Sequence, residues 1–325
     1  MKTLLRWFLA GWMLSTGASR GEAEPAPADF TFAVVGDVQG KGASGAWREA
    51  ATWLASRQPA FWVAVGDLVD MGQDRAQWDA FLADGKSLME QSPIRAVVGN
   101  HDLYRDGKPE GKKFISEYPS ILFDLFPQPA PMADEPFDGW YSFTNSNALV
   151  IVLNAYAYPP PGHALASDPR AYEEQSRARQ MVWAREQLAQ SKATHTFLVL
   201  HPPVYSSGAH GVAGDQPYER AVSELADEFK VAAVFSGHVH AFEVSKPLRA
   251  GAVVEGGAGG TIYYNTAGIN FSDVAAGSWF TDARQEKARE PLVALVRIHG
   301  DAFALETWNW RTGQLVHQVT RSAQR

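Results

Sequence analysis

Five apolar runs in this chain each stop at a burst of small and metal-binding residues: "GDVQ" at Gly36 to Gln39, "GDLVD" at Gly66 to Asp70, "GNHD" at Gly99 to Asp102, "LHPP" at Leu200 to Pro203 and "GHVH" at Gly237 to His240. A short apolar, β-rich run has the length of a buried strand. In an open α/β sheet the carboxyl ends of the strands share one crevice, where ligands bind. The repeated coincidence predicts strand ends that gather Asp, Asn and His at one place. Any single burst reads as an ordinary turn, because Gly, Asp and Asn are turn formers. Four of the nine histidines (His101, His201, His238 and His240) at such ends is a placement that chance rarely gives.

Six such runs, "FTFAVV", "FWVAV", "IRAVV", "ALVIVL", "TFLVL" and "VAAVF", are separated in several places by segments with helical spacing. Trp47, Ala50, Ala51 and Leu54 share one face, as do Met181, Ala184 and Leu188, and Ala221, Val222, Leu225 and Phe229. Alternation of this kind predicts a sheet covered by helices. Past Gly237 come short alternating runs, "AFEVS", "AVVEGG", "TIYYN", "LVALVRIH", "AFALETWNW" and "LVHQVT", which predict an antiparallel second sheet packed on the first. Residues 103–139 and 155–170 are rich in Pro, Gly and charge and read as long loops.

The first 23 residues have the parts of a secretory signal peptide: Lys2 and Arg6, an apolar stretch from Trp7 to Leu14, then small residues with possible cleavage after Ala18 or Ala23. The stretch is shorter than the roughly 20 residues that span a bilayer, so no stable membrane anchor is expected. Residues 24–29 read as a linker, residues 30–325 as a single domain, and the location as secreted, most simply periplasmic. The 325 residues contain no cysteine, which excludes disulfides, a lipoprotein thioether and thiolate metal sites. A net charge of -7 argues against a nucleic-acid partner. Any phosphate group handled here must be met by local positive charge, which a metal could supply. Nothing in the sequence indicates an oligomeric state.

In four of the five bursts a glycine precedes the first ligand-type residue and lets the backbone leave the strand sharply. His238 and His240 lie two apart, so on extended backbone they project to the same side. Asp, His and an Asn carbonyl suit Mn, Fe or Zn. Gln39 is harder to place, since a primary amide coordinates only through its carbonyl oxygen. It is a weak ligand, a hydrogen-bond partner of a metal-bound water, or the mark of a lost activity.

In order and spacing these residues resemble the calcineurin-like metallophosphoesterase superfamily, whose signature runs D-x-H, G-D-x-x-D, G-N-H-D/E, a lone H, then G-H-x-H. The likeness covers about Phe30 to His240, with D-x-Q in place of the first element. It implies a four-layer αββα sandwich of two mixed β-sheets flanked by helices, two divalent or mixed-valence metal ions (Fe, Mn or Zn), and hydrolysis of phosphate monoesters or diesters by hydroxide made at the metal pair. Carried onto this chain, Asp37, Gln39 and His240 serve the first metal, Asp67 bridges, and Asn100, His201 and His238 complete the second. His101 sits over the phosphate, with Asp102 holding its ring. "LHPPVYSSGAHG" is similar to a stretch of purple acid phosphatases, which makes His210 a candidate substrate contact. The tyrosine of that subgroup is replaced by Asp70 here, so its coloured tyrosine–iron site is not expected. Asp70 itself suits a helix cap better than a metal role. The competing expectation is a non-catalytic, metal-dependent binder of a phosphorylated ligand.

Overall fold

The computed structural model describes residues 29–40, 45–107, 114–128, 137–208, 216–255 and 259–323. Along the chain the strands are β1 (Phe30–Val35), β2 (Phe61–Ala64), β3 (Ile94–Ala96), β4 (Tyr104–Asp106), β5 (Phe114–Ser116), β6 (Tyr141–Asn145), β7 (Ala148–Val152), β8 (His195–Val199), β9 (Ala233–Ser236), β10 (Glu243–Ser245), β11 (Leu248–Arg249), β12 (Ala252–Val253), β13 (Ile262–Asn265), β14 (Thr281–Arg284), β15 (Leu292–His299), β16 (Ala302–Asn309) and β17 (Gln314–Ser322). The helices are α1 (Ala46–Ala55), α2 (Arg75–Met89), α3 (Ser120–Leu125), α4 (Pro169–Gln190) and α5 (Pro217–Glu228).

Two mixed sheets result, one in the order β17-β16-β15-β1-β2-β3 and the other in the order β14-β10-β13-β9-β8-β7-β6. Strands β1, β2 and β3 are parallel, as are β7, β8, β9 and β13. Their side chains alternate between two buried faces, which is why these runs are apolar throughout. Phe32, Val34, Phe61 and Val63 point inward and meet Phe197, Val199 and Phe235 of the opposite sheet. The Phe32 and Phe61 rings stack at 4.9 Å, and Phe235 meets Phe32 edge-on at 6.1 Å. Ala33, Val35, Trp62 and Ala64 face outward under Trp47 and Leu54 of α1 and Trp78 and Phe81 of α2. Ile151, Leu198 and Val234 lie under Trp183 and Leu188 of α4 and Val222 and Leu225 of α5. The layers are helix, sheet, sheet, helix, as expected. Each fully buried large apolar side chain contributes roughly 1.5–3 kcal/mol.

The division of strands differs from the sequence reading. The six leading runs split between the sheets. Of the later strands, β15 to β17 extend the first sheet and β10, β13 and β14 the second. The later strands extend the parallel cores: β15 pairs antiparallel along β1, from Phe30↔Ile298 to Val34↔Ala294, and β13 pairs along β9, while β3 is the outer strand at the other side of the first sheet. "AVVEGG" supplies only the two-residue β12, paired with β11. Residues 103–139, read as a loop, hold the β4–β5 hairpin and α3. Helix α2 is started by Asp74, whose carboxylate accepts from Ala76 N at 3.0 Å, so the cap expected of Asp70 falls to Asp74. The signal-peptide and linker residues up to 28 lie outside the described residues, as does His210. Among the described residues no helix is long and apolar enough to cross a membrane.

Candidate metal centre

The site forms at the shared rim of the two sheets. Strands β1, β2 and β3 deliver Asp37, Asp67 and Asn100 from one sheet, and β8 and β9 deliver His201, His238 and His240 from the other. The loops are stitched together by their backbones: Asp37 N donates to Gly66 O at 3.0 Å and Gln39 N to Asp67 O at 3.1 Å. Gly99 is obligatory, because a Cβ there would lie 2.2 Å from both Asp67 N and Asp67 Oδ1.

Asp37, Asp67, His238 and His240 all have left-handed backbone, with φ between 52° and 71°. That conformation costs an ordinary residue about 1 kcal/mol or more and clusters at functional sites. It also corrects the expectation for "GHVH". The two histidines do not project from extended backbone; each sits in a left-handed turn, with Val239 buried between them. His238 joins Asp67 and His201 in one group, while His240 joins Asp37 and Asp67 in another. In each group one ligand atom per residue lies within 4.8 Å of the others, and Asp67 belongs to both.

His201 Nε2 is 3.2 Å from Asp67 Oδ2, and His240 Nε2 is 3.5 Å from Asp37 Oδ1. Asn100 Oδ1 is 3.0 Å from His238 Nδ1, and the His238 backbone N–H donates to Asp37 Oδ1 at 2.9 Å. His201 Nδ1 donates to Val65 O at 2.6 Å, which leaves Nε2 to face the carboxylates.

Asp37, Asp67, Asp102 and His201 are fully or almost fully buried. Burial raises the Asp37 pKa to about 8; the His201 charge opposes the rise, and Asp67 adds to it. Burial disfavours charge on His201, yet Asp67 and then Asp37 outweigh it and lift its pKa to about 9. For Asp67, burial works upward but is overcome by His201 and His101, holding its carboxyl at about 2. Buried like charges this close call for compensating cations.

The residues fit a metal pair. Gln39 is 2% exposed, and its Nε2 lies 3.1 Å from Asp67 Oδ2 and 3.3 Å from His240 Nε2, while its Oε1 is buried without a hydrogen-bond partner. A buried amide oxygen without a donor, set beside a carboxylate and an imidazole, is an environment that a bound cation relieves. With oxygen and nitrogen donors and no thiolate, the set suits Fe, Mn or Zn.

The His101 backbone N–H donates to Asp67 Oδ1 at 2.8 Å, and its ring Nδ1 meets the Asp70 carbonyl at 3.0 Å. Asp102 does not hold that ring, contrary to expectation. Its carboxylate accepts from Asp67 N and Leu68 N at 3.0 Å and from Gly99 N at 2.8 Å. The reason is geometric: the carboxylate is buried beneath the turn it braces, and the left-handed Asp67 leaves three N–H groups needing an acceptor there. Burial and Asp67 raise the Asp102 pKa to about 7, against the pull of those N–H donors.

Sequence reasoning did not assign the carbonyls of Val65 and Asp70, which no residue type announces. Tyr156, which the sequence suggests as core packing ahead of a substrate contact, has its ring centroid 5.9 Å from that of His201 and 6.4 Å from that of His238. Among the charges of the 103–139 segment, Arg105 pairs with Glu117. Lys108, Lys112 and Lys113 lie outside the described residues.

Comparison with known proteins agrees with this geometry. Residues 30–242 match the model of the calcineurin-like phosphoesterase family. A phosphoenolpyruvate phosphatase from Allium cepa is 27% identical over 181 residues, covering 52% of this chain and 32% of that protein. The Fe(3+)-Zn(2+) purple acid phosphatase 12 of Arabidopsis thaliana is 25% identical over 186 residues, covering 53% of this chain and 34% of that protein. The matched stretch thus spans about a third of the length of these curated relatives. Among solved structures, purple acid phosphatase PPD1 from yellow lupin superposes with a TM-score of 0.71 at 18% identity, covering 91% of this chain and 54% of that one, a likeness of fold. With the family's model matched across the strands that carry every candidate ligand, the chain belongs to the calcineurin-like phosphoesterase family.

Proposed function

We propose that this chain is an exported, metal-dependent phosphoric ester hydrolase. Asp37, Gln39 and His240 would hold one cation and Asn100, His201 and His238 a second, with Asp67 available to both. The observation that carries the reading is the pair of donor groups sharing Asp67. A cation pair in such a cradle supplies Lewis acidity and lowers the pKa of a hydrolytic water toward neutrality.

The remaining work falls to the chain itself. Asp67 is positioned by its backbone bond to Asp102 and by the His101 N–H on Oδ1, leaving Oδ2 for the cation side. His101, anchored through Nδ1 on the Asp70 carbonyl, presents Nε2 as the group that stabilises charge on the phosphoryl oxygens or delivers a proton to the departing oxygen. Asp102 acts at one remove, bracing the Asp67 and Gly99 turns. Export is supported by the composition of the first 23 residues, and amino-terminal sequencing of the mature protein tests it.

The enzymatic reading is tested by measuring bound metal and then turnover of para-nitrophenyl phosphate and its bis ester. Metal near two equivalents with hydrolysis of at least one ester is expected. Two bound metals with no turnover on a broad phosphoester panel overturns catalysis in favour of a binding protein.

A further inference from the structure

A cavity of about 300 Å³ opens beside Asn100, walled by Leu103, Tyr104, Tyr156, Tyr158 and Pro169. We propose that it receives the leaving group of the substrate and selects phosphate monoesters of neutral, flat, aromatic alcohols. The inference rests on the phosphoesterase reading and adds a substrate class to it.

Position comes first. Asn100 belongs both to the cavity wall and to the candidate second metal position, and Tyr156 packs its ring beside His201 and His238. A phosphoryl group seated at the metals with its ester oxygen on the Asn100 side would open directly into this space. A volume of about 300 Å³ is at the small end of ligand pockets and suits one ring or two fused rings.

The wall is also built in advance. Tyr104 stacks on Phe114 at 5.0 Å with the rings 5° from parallel, and its hydroxyl accepts from Asn100 Nδ2 at 3.4 Å. The turn carrying Tyr156 is pinned by Tyr156 N donating to Asn154 Oδ1 at 2.8 Å and by Arg177 donating to the Ala155 carbonyl. Tyrosines fixed in this way offer flat apolar surface with little ordering cost on binding, and they favour aromatic partners over aliphatic ones of equal area.

Charge decides the class. The formal charges in the lining are Arg170 and Glu173, of opposite sign. Arg170 pairs with Glu174 at 3.2 Å and Glu173 with Arg177 at 2.8 Å. The described wall therefore carries no net formal charge, and a second phosphate or an acidic leaving group finds no net attraction there. A neutral ring needs none.

The test compares kcat/KM for benzyl phosphate and ethyl phosphate, esters of alcohols with nearly equal acidity, so that the bond-breaking step is matched and the pocket alone discriminates. The metal-loaded wild-type protein should favour the benzyl ester by at least about tenfold, the selectivity an apolar pocket supports. Tyr158→Ala should pull the ratio toward one through KM for the benzyl ester. Tyr158→Leu keeps bulk but not the flat ring, guards against misfolding of the first variant, and should shift the ratio the same way. Equal kcat/KM for the two esters in wild type, or an unchanged ratio in both variants, overturns the pocket assignment while leaving the phosphoesterase reading intact. Hydrolysis of neither ester, nor of para-nitrophenyl phosphate, by metal-loaded protein overturns both.

Discussion

Gly99→Ala is the smallest change that puts the proposed centre at risk. The new Cβ would sit 2.2 Å from Asp67 N, 2.2 Å from Asp67 Oδ1 and 2.9 Å from Asp67 Cγ, and reaching ordinary contact requires a shift of about 1.2 Å. The obstacle is backbone and cannot swing aside. Asp67 N is bonded to Asp102, and Asp67 O accepts from Gln39 N. Metal–ligand distances tolerate only about 0.2 Å, so a displacement of this size removes Asp67 from at least one cation. Displacements near 1 Å can cost about a hundredfold in rate, and overpacking adds about 1–3 kcal/mol of destabilisation. Gly162→Ala is the control: its φ is 83° with nothing within 4 Å, so it carries backbone strain of about 1 kcal/mol without a clash at the site. Atomic emission after dialysis, calorimetric titration with Mn or Zn, and a melting curve separate the two effects. Gly99→Ala should lose metal and turnover together, while Gly162→Ala keeps both. A Gly99→Ala protein that binds both cations as tightly as wild type would refute the claim that Asp67 is wedged against the Gly99 backbone.

Other substitutions sort the remaining roles. Asp67→Asn should lose metal and activity together, whereas His101→Ala should retain metal and lose rate by about 10²-fold or more; metal loss from His101→Ala contradicts its assignment. Asp102→Ala strips the acceptor from three buried N–H groups and should lower the melting temperature with and without chelator; an unchanged melt with a selective fall in kcat would restore the ring-holding role. Gln39→His should change the rate of an active parent modestly, and a large gain from an inert parent would favour the binding reading. In metal-free protein, Asp37 and His201 titrate at about 8 and about 9, so near neutral pH each holds a proton that a cation must displace. Cation affinity should therefore rise between about pH 6 and 9, with protons released into the buffer. Titration calorimetry in buffers of different ionisation enthalpy reads this, and flat affinity with no proton release contradicts it.

Much of the architecture was readable because its strands are buried on both faces. "FTFAVV" and "TFLVL" have no alternation to confuse with helix, and the glycine after several of the site-bearing strands marks where the backbone must turn. Strand pairing was not readable. Nothing local in "LVALVRIH" says that it lies along β1 rather than β9, since that choice depends on which sheet edge is left bare. Helix α2 escaped notice because its inward face is only Trp78, Phe81, Gly85 and Leu88 among charged residues. At the site, residue types suggested donors but not directions. "GHVH" suggested two rings on one extended segment, whereas His238 and His240 each sit in a left-handed turn, and it is from these turns that they reach the two groups the resemblance implied. Asp102, next to His101 in sequence, faces three N–H groups instead because backbone donors, which no side chain advertises, needed an acceptor there.

The centre draws three of its five ligand-bearing turns from one sheet of the sandwich and two from the other. A cation pair held there would add to the Gly36↔Gly268 bridge and the Ile269 N–Asp37 O hydrogen bond that already link the two halves at this margin. Loading then becomes a mechanical as well as a chemical event: at a thousand times the dissociation constant, a ligand that binds only the folded form adds about 4 kcal/mol. Scarcity of metal would loosen the ligand-bearing rim of the sandwich first, so resistance to proteolysis should track the metal supply of whatever compartment the chain inhabits.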